Sequence, residues 1–94
     1  MGNKLFNLII LTPEKIIYKG RVRSLVAPCA LGYLGVLASH APLIANVVSG
    51  KIALSLESGE QAVFYSRGKG FLEVLRDNVT LLSSSIAEKF SGEK

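Results

Sequence analysis

Apolar and polar positions alternate with a period of two along most of this chain, the spacing of a half-buried β-strand, and turn-forming residues recur about every eight to twelve positions. The clearest segment is Lys51-Ile52-Ala53-Leu54-Ser55-Leu56-Glu57, which predicts one dry and one wetter face, followed by a turn at Ser58-Gly59. Gln61–Ser66 returns as its antiparallel partner. There Val63 and Tyr65 share one face and Ala62 and Phe64 the other, and apolar content on both faces points to one of them meeting another protein. Phe71–Arg76 and Asn78–Ser83 predict a second hairpin about Asp77-Asn78.

Near the start, Leu5–Leu11 and Ile16–Tyr18 read as strands joined by a turn over Thr12-Pro13-Glu14-Lys15, because Pro13 has no amide to give to a ladder. Gly20 is expected to break the second strand. Arg21–Ala27 then continues extended, with Val22 and Val26 on one side and the two arginines on the other, until Pro28 ends it. Gly32 to Leu43 reads as a rigid loop in which two glycines and Pro42 hold His40 on a short tether. The tail changes character: Ser85-Ile86-Ala87-Glu88 has capping-box spacing, but so few residues follow that a single helical turn or a frayed end is expected. The pattern thus predicts an all-β sandwich or barrel over residues 1–84 and a separate tail over 85–94.

With 94 residues the chain is one domain, able to bury about two thirds of the surface its unfolded form exposes. No apolar run approaches the roughly 20 residues needed to span a bilayer, so no direct membrane insertion is expected. The net charge of +4 is spread over several segments rather than gathered in a phosphate-tracking stripe. Cys29 is the only cysteine, which excludes an internal disulfide and a thiolate zinc cluster, and it reads as a small half-buried apolar residue at a strand end.

Catalytic chemistry finds little support. A nucleophile needs a base and an orienting group behind it, whereas the chain has one histidine and seven carboxylates at no suggestive spacing. No second His or Cys lies at ligand spacing from His40 or Cys29, and neither metal nor cofactor is expected. Ser66-Arg67-Gly68-Lys69-Gly70 has the wrong glycine spacing for a phosphate loop and precedes a strand rather than a helix. A binding surface remains, with Tyr33, Leu34 and Leu37 beside the histidine segment.

Gly32, Leu34, Gly35, Val36, His40, Ala41, Pro42 and Leu43 match in order a loop typical of the epsilon subunit of F-type ATP synthases. Thr12-Pro13-Glu14, Gly20, Gly50, Phe71-Leu72-Glu73-Val74 and Asn78-Val79-Thr80-Leu81 extend the likeness over nearly the whole chain. The sequence resembles that family. The resemblance implies a ten-stranded antiparallel β-sandwich acting as a non-catalytic rotor part within a membrane-bound hetero-oligomeric complex. It implies a place at the foot of the gamma subunit against the ring of c subunits, peripheral to the inner membrane on its cytoplasmic side or at an organellar equivalent. Tyr33, Leu34, His40, Ala41 and Pro42 are carried over as contacts at the gamma and c-ring junction, and Gly68 and Glu73 as gamma contacts.

Three departures bear on those contacts. Tyr33 stands where the family commonly has a glutamate, which changes a charge-assisted contact into an aromatic one. Ala38-Ser39 replaces Pro-Gly or Pro-Asn before the histidine, and Lys69 splits the usual Gly-Gly. The chain also stops where the family's inhibitory helical hairpin would begin, so it is expected to assemble and couple without inhibiting by helix insertion. The alternative reading is a small basic β-barrel for single-stranded nucleic acid. It is weakened by the absence of tryptophan and by the strand positions of Phe6, Phe64 and Phe71, which are expected to be buried.

Overall fold

The computed structural model describes residues 4–88, and all its regular structure is strand. In chain order the elements are β1 Phe6–Leu11, β2 Ile16–Cys29, β3 Gly32–Leu37, β4 Leu43–Val47, β5 Gly50–Leu56, β6 Gln61–Ser66, β7 Gly70–Leu75, β8 Asn78–Ser83 and β9 Ile86–Glu88. Period-two burial explains them: in β7 and β8, Leu72, Val74, Val79, Leu81 and Ser83 alternate inward while Glu73, Leu75, Asn78 and Thr80 do not.

β2 organises the molecule because it is long enough to serve two layers. Its first half pairs with β1, which continues through β8 and β7 to β4; its second half pairs with β3 on one side and β5 on the other, continuing through β6 to β9. Cys29 also bridges to Val47 of β4, so the layers meet again at the far end of β2. Between them lies one apolar core. Leu8, Ile10, Leu72, Val74 and Leu81 from the first layer meet Leu25, Val36, Ile52, Leu54 and Phe64 from the second.

The all-β sandwich stands as the sequence indicates, with nine strands among the described residues rather than ten. Gly20 does not break β2. It stays paired with Leu8, and its missing side chain makes room for the Tyr18 hydroxyl, which would lie 2.8 Å from a Cβ there. The pairing is not wholly antiparallel either, since β1 and β8 run parallel from Asn7↔Asn78 to Leu11↔Leu82. Six strands intervene between these two, so the chain reaches β8 by a long crossover rather than a hairpin.

Val22 and Val26 do not share a face: Val22 is buried and Val26 exposed. The cause is a β-bulge. Between Val22↔Leu56 and Ser24↔Ser55 the residue Arg23 has no partner on β5, so the inward set shifts by one and runs Val22, Leu25, Ala27, Cys29. The Arg23 guanidinium donates twice to the Glu57 carbonyl, at 2.9 and 3.2 Å, which fixes the kink. Pro28 does not end the strand; its carbonyl accepts the Val48 amide at 2.9 Å, and Cys29 follows it in the ladder, buried rather than half buried.

The second hairpin turns at Arg76-Asp77, one residue earlier than expected, with Arg76 at φ 58°. The expected helix start over Ser85–Glu88 is also absent. Ser83 Oγ captures the Ser85 amide, the Ser85 carbonyl accepts the Arg67 amide, and Ile86–Glu88 pairs with β6 as β9. The end of the predicted tail, from residue 89, lies outside the described residues.

Candidate functional site

The histidine segment is shorter than its sequence suggests. Gly32–Leu37 is strand β3 in register with β2, leaving only Ala38–Pro42 as loop. A turn closes at its start, where the His40 amide donates to the Leu37 carbonyl at 3.2 Å. Ser39 takes the left-handed conformation at φ 65°, a region that Gly and Asn enter more readily than other residues. Its amide donates to Asp77 Oδ1 at 2.8 Å, and the Asp77 carbonyl accepts the Asn7 amide at 2.8 Å. One aspartate in the β7–β8 turn therefore ties the loop to the start of β1.

His40 itself is half exposed. Its Nδ1 lies 2.7 Å from the Ala41 carbonyl oxygen. A carbonyl only accepts, so the proton resides on Nδ1 and Nε2 is left for other partners, as acceptor in the neutral ring and donor in the imidazolium. Ala41 and Pro42 beside it are exposed.

Tyr33 and Leu34 do not join this cluster. They stand at the other end of β3, where Tyr33 is paired with Pro28 and separated from Leu37 by about 13 Å of strand. Tyr33 is 62% exposed, and its hydroxyl accepts the Lys51 amide at 3.2 Å, which anchors the ring over the start of β5. Leu34 turns inward against the core. The expected contact set is thus divided between two ends of one strand.

Gly68 and Glu73 belong to a third place. Glu73 sits mid-strand between Ile44 and Thr80 on the outer face of the first layer. Gly68 lies in the β6–β7 loop, and a Cβ there would stand 1.9 Å from Ser84 Oγ. A buried hydroxyl pair supports this loop: Ser66 Oγ and Ser83 Oγ are 2.9 Å apart, and each also lies 3.0 Å from a carbonyl, Gly68 and Ser85 respectively, so one hydroxyl donates to the other while the second donates to its carbonyl. Both glycines around Lys69 are thereby accounted for, because Gly70 is crowded still more closely by the Leu82 backbone.

The sequence reading missed the outer face of the first layer. Phe71 was expected to be buried, yet it is 40% exposed, since Leu72 and Val74 occupy the inward positions of β7. Register places Phe71, Leu82, Leu11 and Ile16 in one row across β7, β8, β1 and β2, with Ile9, Ile44 and Leu75 in adjoining rows. Ile16, Ile44 and Leu75 are each more than half exposed. A sheet face of this kind is apolar enough to dock protein, and strict alternation in β7 was the signal that could have found it.

Catalytic or metal chemistry has no such assembly. Among the described residues no three His, Cys, Asp or Glu side chains stand together as metal ligands, and every buried side-chain nitrogen or oxygen has a hydrogen-bond partner. Burial pushes the Cys29 thiol above its ordinary range, which disfavours the reactive thiolate.

Comparison with known proteins bears on this arrangement. The family model for the ATP synthase delta/epsilon chain β-sandwich domain matches residues 5–89. The ATP synthase epsilon chain of Chlorobaculum tepidum is 39% identical over 86 residues, 92% of this chain and 97% of that protein. That of Leptospira borgpetersenii is 41% identical over 83 residues, covering 88% of this chain but 64% of the longer relative. Among solved structures, a chain of the Euglena gracilis mitochondrial ATP synthase, in a cryo-EM structure of OSCP, F1 and c-ring, superposes with a TM-score of 0.83. The match is at 19% identity over 89% of this chain and 53% of that one, a likeness of fold. The match of profile and relatives over nearly the full sandwich shows that this chain belongs to the delta/epsilon family of ATP synthase subunits.

Proposed function

We propose that the protein is a central-stalk subunit of an F-type ATP synthase that joins the gamma subunit to the c ring and carries torque between them, without catalysing a reaction itself. Its place is peripheral to the membrane that holds the ring, on the cytoplasmic side in a bacterium. The observation that carries this reading is the outer face of β1, β7 and β8: an unbroken apolar row of Phe71, Leu82 and Leu11, extended by Ile16 and flanked by Ile9, Ile44 and Leu75 among polar side chains, in a member of this family. Gamma is its proposed occupant, with Glu73 giving the interface one charged contact and Gly68 marking the backbone loop at its margin.

The other two places suit the ring. The Ala38–Pro42 loop presents His40 Nε2 on a short, pinned backbone, and Tyr33 presents a phenol held by Lys51. Both are polar tips on anchored backbone, one in a pinned loop and one on a strand, which is what contact with the polar loops of a rotating ring requires. The separation between them spreads the contact along β3 rather than concentrating it in one loop.

Purified gamma and this chain test the proposal. Phe71→Asp and Leu75→Asp replace exposed side chains, so the fold should survive as judged by circular dichroism, while affinity for gamma should fall at least tenfold for each, because a carboxylate would be left desolvated in an apolar contact. Unchanged affinity in both variants would remove the outer face as the gamma site. No observation in the structure favours the nucleic-acid reading: the exposed aromatics Tyr33 and Phe71 lie in different layers and form no stacking track.

A further inference from the structure

The Ala38–Pro42 loop leaves the second layer after Leu37, in register with Ser24, and enters the first at Leu43, in register with Val74. Both anchors lie outside the loop, so the bonds made between them decide where His40 stands. The His40 amide returns to the Leu37 carbonyl and its ring to the Ala41 carbonyl, which shape the loop without attaching it to anything. Among the described residues, one hydrogen bond carries the loop beyond itself and Leu37: the Ser39 amide donates to Asp77 Oδ1 at 2.8 Å.

The two ends of that bond differ in stiffness. Ala38 and Ser39 carry no ring to restrict their backbone, and Ser39 sits at φ 65°, a conformation that a serine does not hold unaided. Asp77 is fixed. Its carbonyl accepts the Asn7 amide at 2.8 Å, and Asn7 Nδ2 donates to Asn78 Oδ1 at 3.1 Å, so the β7–β8 turn is held against the start of β1 on both sides of the peptide that carries the carboxylate. A carboxylate accepting a backbone amide makes a charge-assisted bond, stronger than the neutral kind. The opposite layer thereby supplies the restraint that the loop's own residues lack.

We propose that Asp77 is a positioning residue for the ring contact: it keeps Ser39 left-handed and so sets the direction of His40 Nε2, without meeting the ring itself. The contact it serves rests on the function proposed above, whereas the pin is read on the free chain, so the two can fail separately.

NMR relaxation of the free chain reads the pin, and binding to a detergent-solubilised c ring in the presence of gamma reads its use. The His40 amide of the parent should be as ordered as strand backbone, with an order parameter of about 0.85, falling toward about 0.6 in Asp77→Ala. Asp77→Asn retains an Oδ1 acceptor and should keep most of that order. Ring affinity should follow the same sequence, about tenfold weaker for Asp77→Ala and within about threefold of the parent for Asp77→Asn. Adding Ser39→Gly to Asp77→Ala separates position from stability: glycine relieves the left-handed strain and should restore the urea midpoint, while His40 order and ring affinity stay low. Unchanged order in Asp77→Ala would overturn the pin, as would an Asp77→Asn variant no better ordered than Asp77→Ala. Lowered order with full ring affinity would overturn the positioning role. Ring affinity that recovers together with the urea midpoint in the double variant would do the same, because the aspartate would then act through stability alone.

Discussion

Gly70→Ala tests how tightly β7 and β8 close against each other in the first layer. A Cβ built at Gly70 would lie 1.7 Å from the Leu82 carbonyl oxygen, 2.6 Å from its carbon and 2.8 Å from Ser83 Cα. All three are backbone atoms of the neighbouring strand, so no side chain can rotate away. Restoring ordinary non-bonded separation requires β7 and β8 to part by more than about 1 Å at this rung, which stretches a ladder bond of about 2.9 Å beyond any useful length. Loss of the Gly70↔Ser83 pairing at roughly 1 kcal/mol per bond, together with strain in the layer, gives about 2–4 kcal/mol of destabilisation. For a domain of this size that is on the order of 10–25 °C in Tm. Gly35→Ala is the control: its Cβ meets nothing within 4 Å and its φ is ordinary, so stability should stay level or rise by about 0.5 kcal/mol. Urea unfolding followed by far-UV circular dichroism measures both. Should Gly70→Ala remain within about 0.5 kcal/mol of the parent protein, or Gly35→Ala lose as much as it does, the steric argument for the glycine that opens β7 is wrong.

Two further outcomes follow from local chemistry. Ser39→Gly should stabilise the chain by about 0.5–1 kcal/mol in the same urea assay, because Ser39 is held at φ 65°, whereas Ser39→Val should destabilise it by at least as much; a loss from glycine would show that the serine has a use the backbone does not reveal. Stability should also decline in alkali. Burial raises Cys29 from its ordinary value of 9.0, and burial with a smaller contribution from the Glu57 carboxylate raises Tyr18 from 10.0. Each native group holds its proton more tightly than the unfolded chain does, so this stability is complete below about pH 9 and is lost as the pH rises through each native value. Cys29→Ala should flatten the first part of the decline, read from urea midpoints across pH 7 to 11, and an unaltered slope would sink the assignment.

Much of the fold was legible because a sheet side chain has only two directions to choose from, and the period-two pattern of β5, β7 and β8 states the choice directly. Reading failed where one event changed the count. The unpaired Arg23 shifts the inward set of β2 by one residue, which nothing in Arg-Val-Arg-Ser-Leu-Val announces, since its anchor is the Glu57 carbonyl thirty-four residues away. β9 was likewise hidden. Ser85-Ile86-Ala87-Glu88 satisfies the local rule for a helix start, but the Ser66 and Ser83 hydroxyls and the open edge of β6 decide the matter through long-range contacts. The arrangement of the candidate contacts was not legible, because adjacency in sequence from Tyr33 to Pro42 becomes, once Gly32–Leu37 is extended, separation along a strand.

That separation has a mechanical consequence. The proposed clamp between shaft and ring must resist shear between its surfaces, and here those surfaces are joined by continuous strand rather than by loops. β2 runs from the Thr12–Lys15 turn, along the rows that form the apolar outer face, through the Arg23 kink and on to the β2–β3 turn beside Tyr33, with ladder partners on both halves. Force entering at the Tyr33 end therefore reaches the first layer through covalent backbone and hydrogen bonds perpendicular to it, without crossing a hinge. The Asp77 bridge from the Ser39 amide to the Asn7 amide supplies a second route from the histidine loop into β1. In the proposed arrangement, two rigid paths into one sheet let the subunit hold its angle to gamma even when only one of the proposed ring contacts is made at a given moment.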